Sequence, residues 1–356
     1  MKPLFIAGIG IVCARGRGLD QFEKALQEGW VAPTPSKEGR LAYRIADADL
    51  MDRHALKDVR RADRFGRLTV LAAHDALSDN GVGPETVRPA TGIIVATAFG
   101  SHATTFKFLD GVIDYGEGNV SPTTFAHSIH NSAASYIAGA IGCQGPTVTV
   151  TSFSFSFQQA LLLAYVWLQE GRVQQVLVGV SEECSTPMEY ICAQKLSMAA
   201  DGKMNPLSCL DQPKVVLGEG SVFFLVTLDE GQKKYGAFSE IRIGKEVQGW
   251  ADVDLSILSA HGMGGSEKIY ESVVKKEAPA AAYSGIYGGM LTSGAFECAA
   301  AALMLKHQVR YASPVFQAGS PFKVDEKAVR APLQAIQCVA HHCDGKRAFI
   351  KMVSSC

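Results

Sequence analysis

The chain has 356 residues, with 34 basic and 35 acidic side chains and a formal net charge of −1. This balance provides no basic surface for a polyanion, so we expect no nucleic-acid partner. The hydrophobic content of 47% is too high for a disordered chain and is enough for a large core. The nine cysteines are odd in number and form no CxxC pair, which favours reduced thiols in a cytoplasmic protein over a disulfide framework.

The first apolar run, residues 4–13, follows Lys2 and could be mistaken for a signal peptide. Gly8 and Gly10 interrupt it and no small-residue cleavage site follows, so we interpret it as a buried strand. No segment reaches the ~18 uninterrupted apolar residues that a membrane helix needs. We therefore expect no membrane insertion.

Short runs rich in Val, Ile and Phe predict strands, and segments with helical periodicity predict helices. The predicted strands cover residues 4–13, 92–97, 147–152, 173–180, 221–227, 239–244, 255–260 and 347–353, and the predicted helices cover residues 63–80, 157–170 and 293–307. Their alternation indicates an α/β architecture with parallel sheets. A polar stretch at residues 231–237 suggests a junction, so we expect two halves, residues 1–232 and 233–356.

One junction between a strand and a helix is a candidate for chemistry. The β-branched strand at residues 147–152 runs almost directly into the apolar helix predicted from residue 157. Free N–H groups at a helix N-terminus favour negative charge, and nucleophiles are often placed there because their anionic form is stabilised. Ser154 occupies this position, and the alternative is that it is only a helix N-cap or a strand-end serine.

The junction resembles the nucleophile segment of the elongating β-ketoacyl-acyl-carrier-protein synthases, which have the thiolase fold. Further similar blocks follow the family's order and spacing at residues 9–11, 62–65, 120–131, 176–183, 206–220, 259–262 and 293–297. The resemblance extends from about residue 3 to residue 353. It implies a five-layer α-β-α-β-α fold built of two similar halves, and a dimer that pairs through the nucleophile strand.

The family's catalytic groups carry over only in part. Its acyl-accepting cysteine corresponds to Ser154, and a hydroxyl, unlike a thiol, needs an adjacent general base. The first of its two histidines is kept as His261, which could also be an ordinary turn histidine. The second histidine falls at Gly288 or Gly289. The resemblance therefore implies that the chain is not a competent enzyme by itself.

Two other chemical elements of the family are also replaced. Its lysine falls at Tyr283 or Ser284, and its glycine-rich oxyanion loop falls at residues 340–345, which read Ala-His-His-Cys-Asp-Gly. The His-His-Cys-Asp run suggests a metal site, but adjacent side chains diverge and no second ligand pair has suitable spacing. We expect no metal and no cofactor.

Bulky residues stand where the resemblance places the acyl tunnel and the dimer contact. Phe155 and Phe157 replace small residues after the nucleophile, and their rings would fill the channel or simply pack in the core. The candidate interface strand consists of Thr147, Val148, Thr149, Val150, Thr151 and Ser152. The candidate chain-length residues are Thr124, Phe125, Ile129 and His130, with Phe125 first.

The resemblance implies a chain-length-factor-like subunit, possessing no chemistry of its own, that shapes the acyl tunnel of an active synthase partner. The acyl carrier protein would be engaged mainly through that partner, and the divergent factors of aryl-polyene pathways are the expected setting. Two alternatives stay open. One is a Ser154-dependent acyltransferase or hydrolase with His261 as its base, and the other is a homodimeric acyl-binding scaffold.

Overall fold

The computed structural model describes residues 1–36, 38–81, 91–208, 210–264, 266–274, 278–314 and 319–354. The strands are β1 (Leu4–Cys13), β2 (Gly16–Arg17), β3 (Thr34–Pro35), β4 (Leu41–Tyr43), β5 (Thr91–Thr97), β6 (Thr147–Thr151), β7 (Gln175–Glu182), β8 (Leu217–Gly218), β9 (Gly220–Thr227), β10 (Ala237–Gly244), β11 (Leu255–Leu258), β12 (Ala280–Ala281), β13 (Val309–Arg310), β14 (Val329–Arg330), β15 (Ala335–His341) and β16 (Arg347–Val353). The helices are α1 (Leu19–Glu28), α2 (Arg64–Asp79), α3 (His102–Tyr115), α4 (Pro122–Ser128), α5 (Ser132–Ile141), α6 (Ser156–Gln169), α7 (Thr186–Lys195), α8 (Ile269–Val273), α9 (Ser284–Tyr287) and α10 (Gly294–His307).

Eleven of these strands form one continuous sheet, ten of them in the order β12-β11-β15-β16-β10-β1-β9-β7-β5-β6, while β2 pairs with β1 beside this path. The order β1-β9-β7-β5-β6 is repeated by β10-β16-β15-β11-β12, with antiparallel pairing in the first two contacts of each set and parallel pairing in the last two. The sets join where Leu4 of β1 pairs with Phe238 of β10. The sheet is therefore mixed: the expected parallel pairing occurs in the outer contacts of each set, and the inner contacts are antiparallel. The repeat supports a division of the chain at residue 232, which we retain as a proposal.

Helices cover both faces of the sheet in the first half. Along β9, Phe223 and Leu225 pack with α2 and α5, whereas Phe224 and Val226 belong to the larger core that includes α6 and α10. Successive side chains of a strand point to opposite faces, so a strand buried on both faces reads as a continuous apolar run. This explains why the sequence of β9 reads as a strand buried on both faces.

The glycines of β1 serve close packing against α2. A Cβ atom on Gly8 would lie 2.2 Å from the carbonyl oxygen of Ala76, and one on Gly10 would lie 2.0 Å from that of Ala72. Helix α2 begins where the side chain of Asp63 accepts a hydrogen bond of 2.8 Å from Gly66 N–H. No helix among the described residues is both long enough and apolar enough to cross a bilayer.

Candidate functional site

The junction between β6 and α6 contains a strained residue. Phe155 is the N-cap of α6 and has φ 57° and ψ 28°, in the left-handed region that non-glycine residues rarely adopt. This conformation costs roughly 1–2 kcal/mol. Burial of the ring against Ala340 and Ala348 offsets the cost. Ser154 therefore precedes the N-cap, and the interpretation of Ser154 as the N-cap is wrong.

The junction borders a cavity of about 170 Å³. The sequence-predicted residues that line it are Ser154, Phe155, Phe157 and His261. Further lining side chains include Gln158, Thr292, His341, His342 and Cys343. The fold therefore brings Ser154 and His261 to one cavity, together with polar residues that sequence reasoning did not place there.

His261 is a neutral hydrogen-bond donor in this cavity. Its Nδ1 accepts a hydrogen bond of 3.1 Å from the N–H of Met263, so the ring proton lies on Nε2. Burial, together with the neighbouring His341 and His342, lowers the pKa of His261 to about 3. An imidazole in this state can donate from Nε2 to a carbonyl oxygen, but Nε2 has no lone pair with which to accept a proton.

Hydrogen bonds to the backbone of Ser154 fix its position. Its carbonyl oxygen accepts hydrogen bonds from Ser152 Oγ at 2.8 Å and from Gln159 Nε2 at 3.1 Å, and its N–H donates to Ser152 Oγ at 3.2 Å. Within the described ranges the Ser154 hydroxyl has no hydrogen-bond partner. The hydroxyl therefore has no general base in this arrangement.

The glycines predicted at the place of the second histidine lie outside the cavity lining. Gly289 donates its N–H to Val216 at 2.7 Å, and a Cβ atom there would lie 2.3 Å from the carbonyl oxygen of His261. Gly288 has φ 94°, and a Cβ atom there would lie 2.5 Å from Gly218 Cα. Both positions are too close to neighbouring backbone for a side chain.

Tyr283 also lies away from the cavity. Its side chain is buried in the core, and its hydroxyl donates to the carbonyl oxygen of Tyr311 at 2.8 Å. Burial raises the pKa of Tyr283 well above its usual value. This side chain contributes no charge to the cavity.

Phe157 both packs in the core and lines the cavity. Its ring lies 5.7 Å from Phe224 and 6.3 Å from Phe238, so it belongs to the main core while it lines the cavity. Phe153, at the same junction, is 60% exposed and packs against Phe99 at 5.4 Å. The aromatic side chains at this junction thus extend from the core to the surface.

The candidate chain-length residues lie on the surface rather than in the cavity lining. Phe125, on α4, is 56% exposed and packs against Phe108 at 5.4 Å. Ile129 caps α4 with extended backbone, so it does not continue the helical face of Phe125. Thr124 is partly buried on α4, and the exposed His130 packs against Gly100.

The predicted interface strand lies at an edge of the sheet. Among the described strands β6 pairs only with β5, and its outer edge is open. Ser152, which we placed in the same strand, follows it and donates its N–H to the carbonyl oxygen of Thr97. Valines 148 and 150 pack on the core from this strand.

Two buried carboxyl groups hydrogen-bond to the segment that carries His261. Burial raises the pKa of Glu297 to about 8, and Ser259 donates a hydrogen bond to its carboxyl group. Burial likewise raises the pKa of Glu267 to about 8, and this side chain accepts from Gly262 N–H at 3.0 Å. Burial thus favours the neutral form of both carboxyl groups, as it does for His261.

Sequence reasoning placed residues 340–345 in the family's oxyanion loop but did not identify individual roles for them. The ring of His341 packs on Tyr270 at 5.0 Å, whereas the ring of His342 lies 6.4 Å from that of Phe155. The signal that could have found His341 and Cys343 is their predicted position opposite the nucleophile junction. Thr292 lies next to the block at residues 293–297, which carried the resemblance without being assigned to the site.

The repeated strand order and the cavity at a strand-to-helix junction define a thiolase-like α/β protein. A family model described as the β-ketoacyl synthase N-terminal domain matches residues 1–231. The chain belongs to the β-ketoacyl synthase family.

Among curated proteins, 3-oxoacyl-[acyl-carrier-protein] synthase 2 of Synechocystis sp. is 24% identical over 257 residues, which is 66% of this chain and 61% of the relative. The chain thus spans less than two thirds of that relative's length. Among solved structures, the ishigamide ketosynthase/chain length factor superimposes with a TM-score of 0.84, 14% identity and 99% coverage of both chains. A type II polyketide synthase ketosynthase in complex with its acyl-carrier protein gives a TM-score of 0.79, 15% identity and 99% coverage of both chains. These two structures share the fold.

Proposed function

We propose that the chain is a non-condensing subunit, similar to a chain length factor, that pairs with an active β-ketoacyl-acyl-carrier-protein synthase and shapes its acyl tunnel. The observation that carries the non-condensing part is that the Ser154 hydroxyl has no hydrogen-bonded general base among the residues that the structure describes. His261 shares the cavity but presents Nε2–H rather than a lone pair.

The competing acyltransferase or hydrolase is less well supported. It needs a base to deprotonate Ser154, and the Met263 N–H holds His261 in the tautomer that cannot fill this role. A second histidine at Gly288 or Gly289 would collide with neighbouring backbone. The cavity therefore keeps one donor of the family's site, and no proton acceptor among the described residues is hydrogen-bonded to the Ser154 hydroxyl.

The open edge of β6 supports the pairing part of the proposal. Alternate residues of a strand present their N–H groups to opposite edges. Ser152 N–H and the carbonyl oxygen of Pro146 bond to β5, so the N–H of Thr149 faces the open edge. An unprotected edge is a template for another strand. Large exposed apolar side chains also occur on α3, on α4 and just beyond β6, namely Leu109, Ile113, Tyr115, Phe125, Ile129 and Phe153.

The carrier protein and the pathway belong to the same proposal. An acyl carrier protein would meet the complex mainly through the active partner, as the names of the relatives suggest. The aryl-polyene setting rests on the sequence resemblance alone. A homodimeric scaffold would use the same edge with a second copy of this chain, so the identity of the bound partner separates the two possibilities.

The experiment is co-expression with a cysteine-containing synthase, followed by affinity purification and size exclusion. We expect a heterodimer that buries upwards of ~2,000 Å² and survives dilution. Thr149→Pro should abolish it because the proline removes an outward N–H, whereas the control Thr149→Ala should preserve it. Circular dichroism checks that both variants fold.

Two results would contradict the proposal. One is an unchanged heterodimer with Thr149→Pro. The other is carbon dioxide release from malonyl-carrier protein by the isolated chain that disappears in Ser154→Ala. A stable homodimer that excludes the synthase would instead support the scaffold.

A further inference from the structure

A second cavity, of about 610 Å³, is lined by the turn between β1 and β2, by residues 31–34 and by strand β4. Within the described ranges it shares no lining residue with the cavity at the β6–α6 junction. Its volume is in the range of sites that bind small molecules. Three arginines line it, Arg15, Arg17 and Arg44, together with the carboxyl group of Asp49. We call this cavity the arginine cleft.

The guanidinium group of Arg17 is fixed by two carboxyl groups that lie outside the lining of the cleft. Its Nε and one terminal nitrogen donate to the two carboxylate oxygens of Asp75 at 2.8 and 2.5 Å, and its other terminal nitrogen donates to Asp52 at 2.8 Å. Burial opposes the charge of Arg17, but the bonds with Asp75 and Asp52 outweigh burial and raise its pKa above the usual value. Arg17 therefore stays charged and well oriented.

The other two arginines keep unused hydrogen-bond donors. Arg15 donates to a backbone carbonyl oxygen at 2.8 Å and to Glu28 at 2.7 Å. Arg44 donates to the carbonyl oxygen of Cys184 at 2.9 Å and pairs with the buried carboxyl group of Glu189. A guanidinium group has five N–H donors, so within the described residues three of them remain on each side chain. One of these is Nε of Arg44, which is buried without a hydrogen-bond partner in the described part of the chain.

The cleft favours an anion through directed hydrogen bonds rather than through net charge. Its lining carries three guanidinium groups and one carboxyl group, and the carboxyl groups that balance the arginines lie outside the lining. A guanidinium group held in a fixed plane donates parallel bonds to a phosphate or carboxylate group. The pair between Arg15 and Glu28 is weak because the Glu28 side chain is 47% exposed, so Arg15 can exchange this partner for a bound anion.

Much of the remaining lining is apolar and is held in place. The hydroxyl of Tyr43 donates to the carbonyl oxygen of Val31 at 2.9 Å, and Nε1 of Trp30 donates to that of Gly202 at 3.2 Å. The apolar lining residues are Ala14, Val31, Ala32, Pro33 and Ala42. A ligand that fits both parts of the lining therefore joins an anionic group to an apolar one.

We propose that the arginine cleft binds a small phosphate monoester with an apolar substituent. The guanidinium groups hold the phosphate oxygens, and the apolar lining contacts the substituent. This site goes beyond the proposed function, because it uses neither the cavity at the β6–α6 junction nor the edge of β6. Failure of heterodimer formation would leave it unaffected, and absence of phosphate binding would leave the pairing proposal standing.

The test uses the full-length chain with phenyl phosphate and, separately, inorganic phosphate, each titrated by isothermal titration calorimetry at neutral pH and physiological ionic strength. We expect one site for phenyl phosphate, with at least fivefold tighter binding than for inorganic phosphate because the phenyl group contacts the apolar lining. No saturable binding of phenyl phosphate at millimolar concentrations would overturn the proposal. Equal affinity for the two ligands would also overturn it.

A first pair of variants tests the guanidinium groups. Arg15→Gln should weaken the binding of phenyl phosphate at least tenfold, because it removes charge-assisted hydrogen bonds. The control Arg310→Gln should change the affinity less than twofold. Arg310 is also largely buried and pairs with a carboxyl group, that of Asp325 at 2.6 Å, but it does not line the cleft. Circular dichroism checks the fold, and unchanged binding by a folded Arg15→Gln variant would overturn the proposal.

A second pair of variants leaves the buried ion pairs intact. Ala32 lines the cleft and is exposed, so a larger side chain there does not disturb the core. Ala32→Glu should weaken the binding of phenyl phosphate at least tenfold by charge repulsion. Ala32→Gln has nearly the same shape without the charge and should change the affinity less than threefold. An equal effect of the two substitutions would overturn the proposal, because the cleft would then not select for negative charge.

Discussion

Replacement of Phe155 by glycine should destabilise the fold less than replacement by alanine. Its φ of 57° is unfavourable for any residue that has a Cβ atom, and glycine avoids this cost. Both substitutions remove the same buried ring, which packs on Ala340, Ala348 and Ile243. This small cluster suggests a loss of about 3 kcal/mol, the lower end of the range for a buried phenylalanine.

The difference in stability between the two variants isolates the contribution of the backbone conformation at residue 155. Alanine at residue 155 keeps the left-handed cost of roughly 1–2 kcal/mol. Glycine avoids it but loses roughly 0.5–1 kcal/mol through greater chain entropy in the unfolded state. The glycine variant should therefore be more stable by about 0.5–1 kcal/mol. Phe157, two residues on within α6, is the matched control, because glycine in a helix is about 1 kcal/mol worse than alanine.

Urea unfolding followed by circular dichroism measures all four variants, and a shared m-value permits comparison of their midpoints. We expect the glycine variant to be more stable than the alanine variant at residue 155, and the alanine variant to be more stable at residue 157. If the alanine variant were at least as stable as the glycine variant at both positions, the inference that the backbone of Phe155 is strained would be wrong.

Three other predictions concern the site and its surroundings. Ser154→Cys should not give chain elongation by the isolated protein, since the second histidine is still missing; steady product formation in a carrier-protein assay would refute this. Phe125→Ala should change the unfolding free energy of the isolated chain by less than ~0.5 kcal/mol, because the ring is more than half exposed. The reconstituted complex should make longer products, as measured by mass spectrometry. Unchanged products from an intact complex would exclude Phe125 as a chain-length residue, and a weaker complex with the same products would show that it only packs at the interface. Burial lowers the pKa of His341 from 6.5 to about 4, so the unfolded chain binds the proton first as pH falls and the folded state loses stability. This loss is up to ~1.4 kcal/mol of unfolding free energy per pH unit between pH 6.5 and 4, and His341→Gln should remove it. Equal slopes of unfolding free energy against pH in the two proteins would contradict this prediction.

The sequence predicts elements well where burial follows a simple period. The eight predicted strands and three predicted helices all occur, with ends that differ by at most two residues. Helix α3 was missed because its apolar residues Leu109 and Ile113 are exposed instead of forming one buried stripe. Strand direction was also missed, because the pattern of a strand buried on both faces is the same in parallel and antiparallel sheets.

The site was predictable only near the nucleophile junction. Ser154 and His261 reach one cavity, as the resemblance suggested, but the contributions of His341 and Cys343 depend on contacts between distant strands. The strain at Phe155 was equally hidden, since aromatic residues rarely adopt positive φ. Local sequence indicates where a chain turns, and tertiary packing determines which side chains meet there.

The two ends of the long sheet have different consequences for assembly. The edge at β12 is short and is covered by the bridge from Pro279 to Lys323, with Ala280 N–H donating to the carbonyl oxygen of Lys323. The edge at β6 carries five residues and is open. Among the described strands, extension of the sheet would use the β6 edge, and pairing of two such edges would close an assembly instead of propagating a filament. We therefore expect this mode of association to give complexes of two chains.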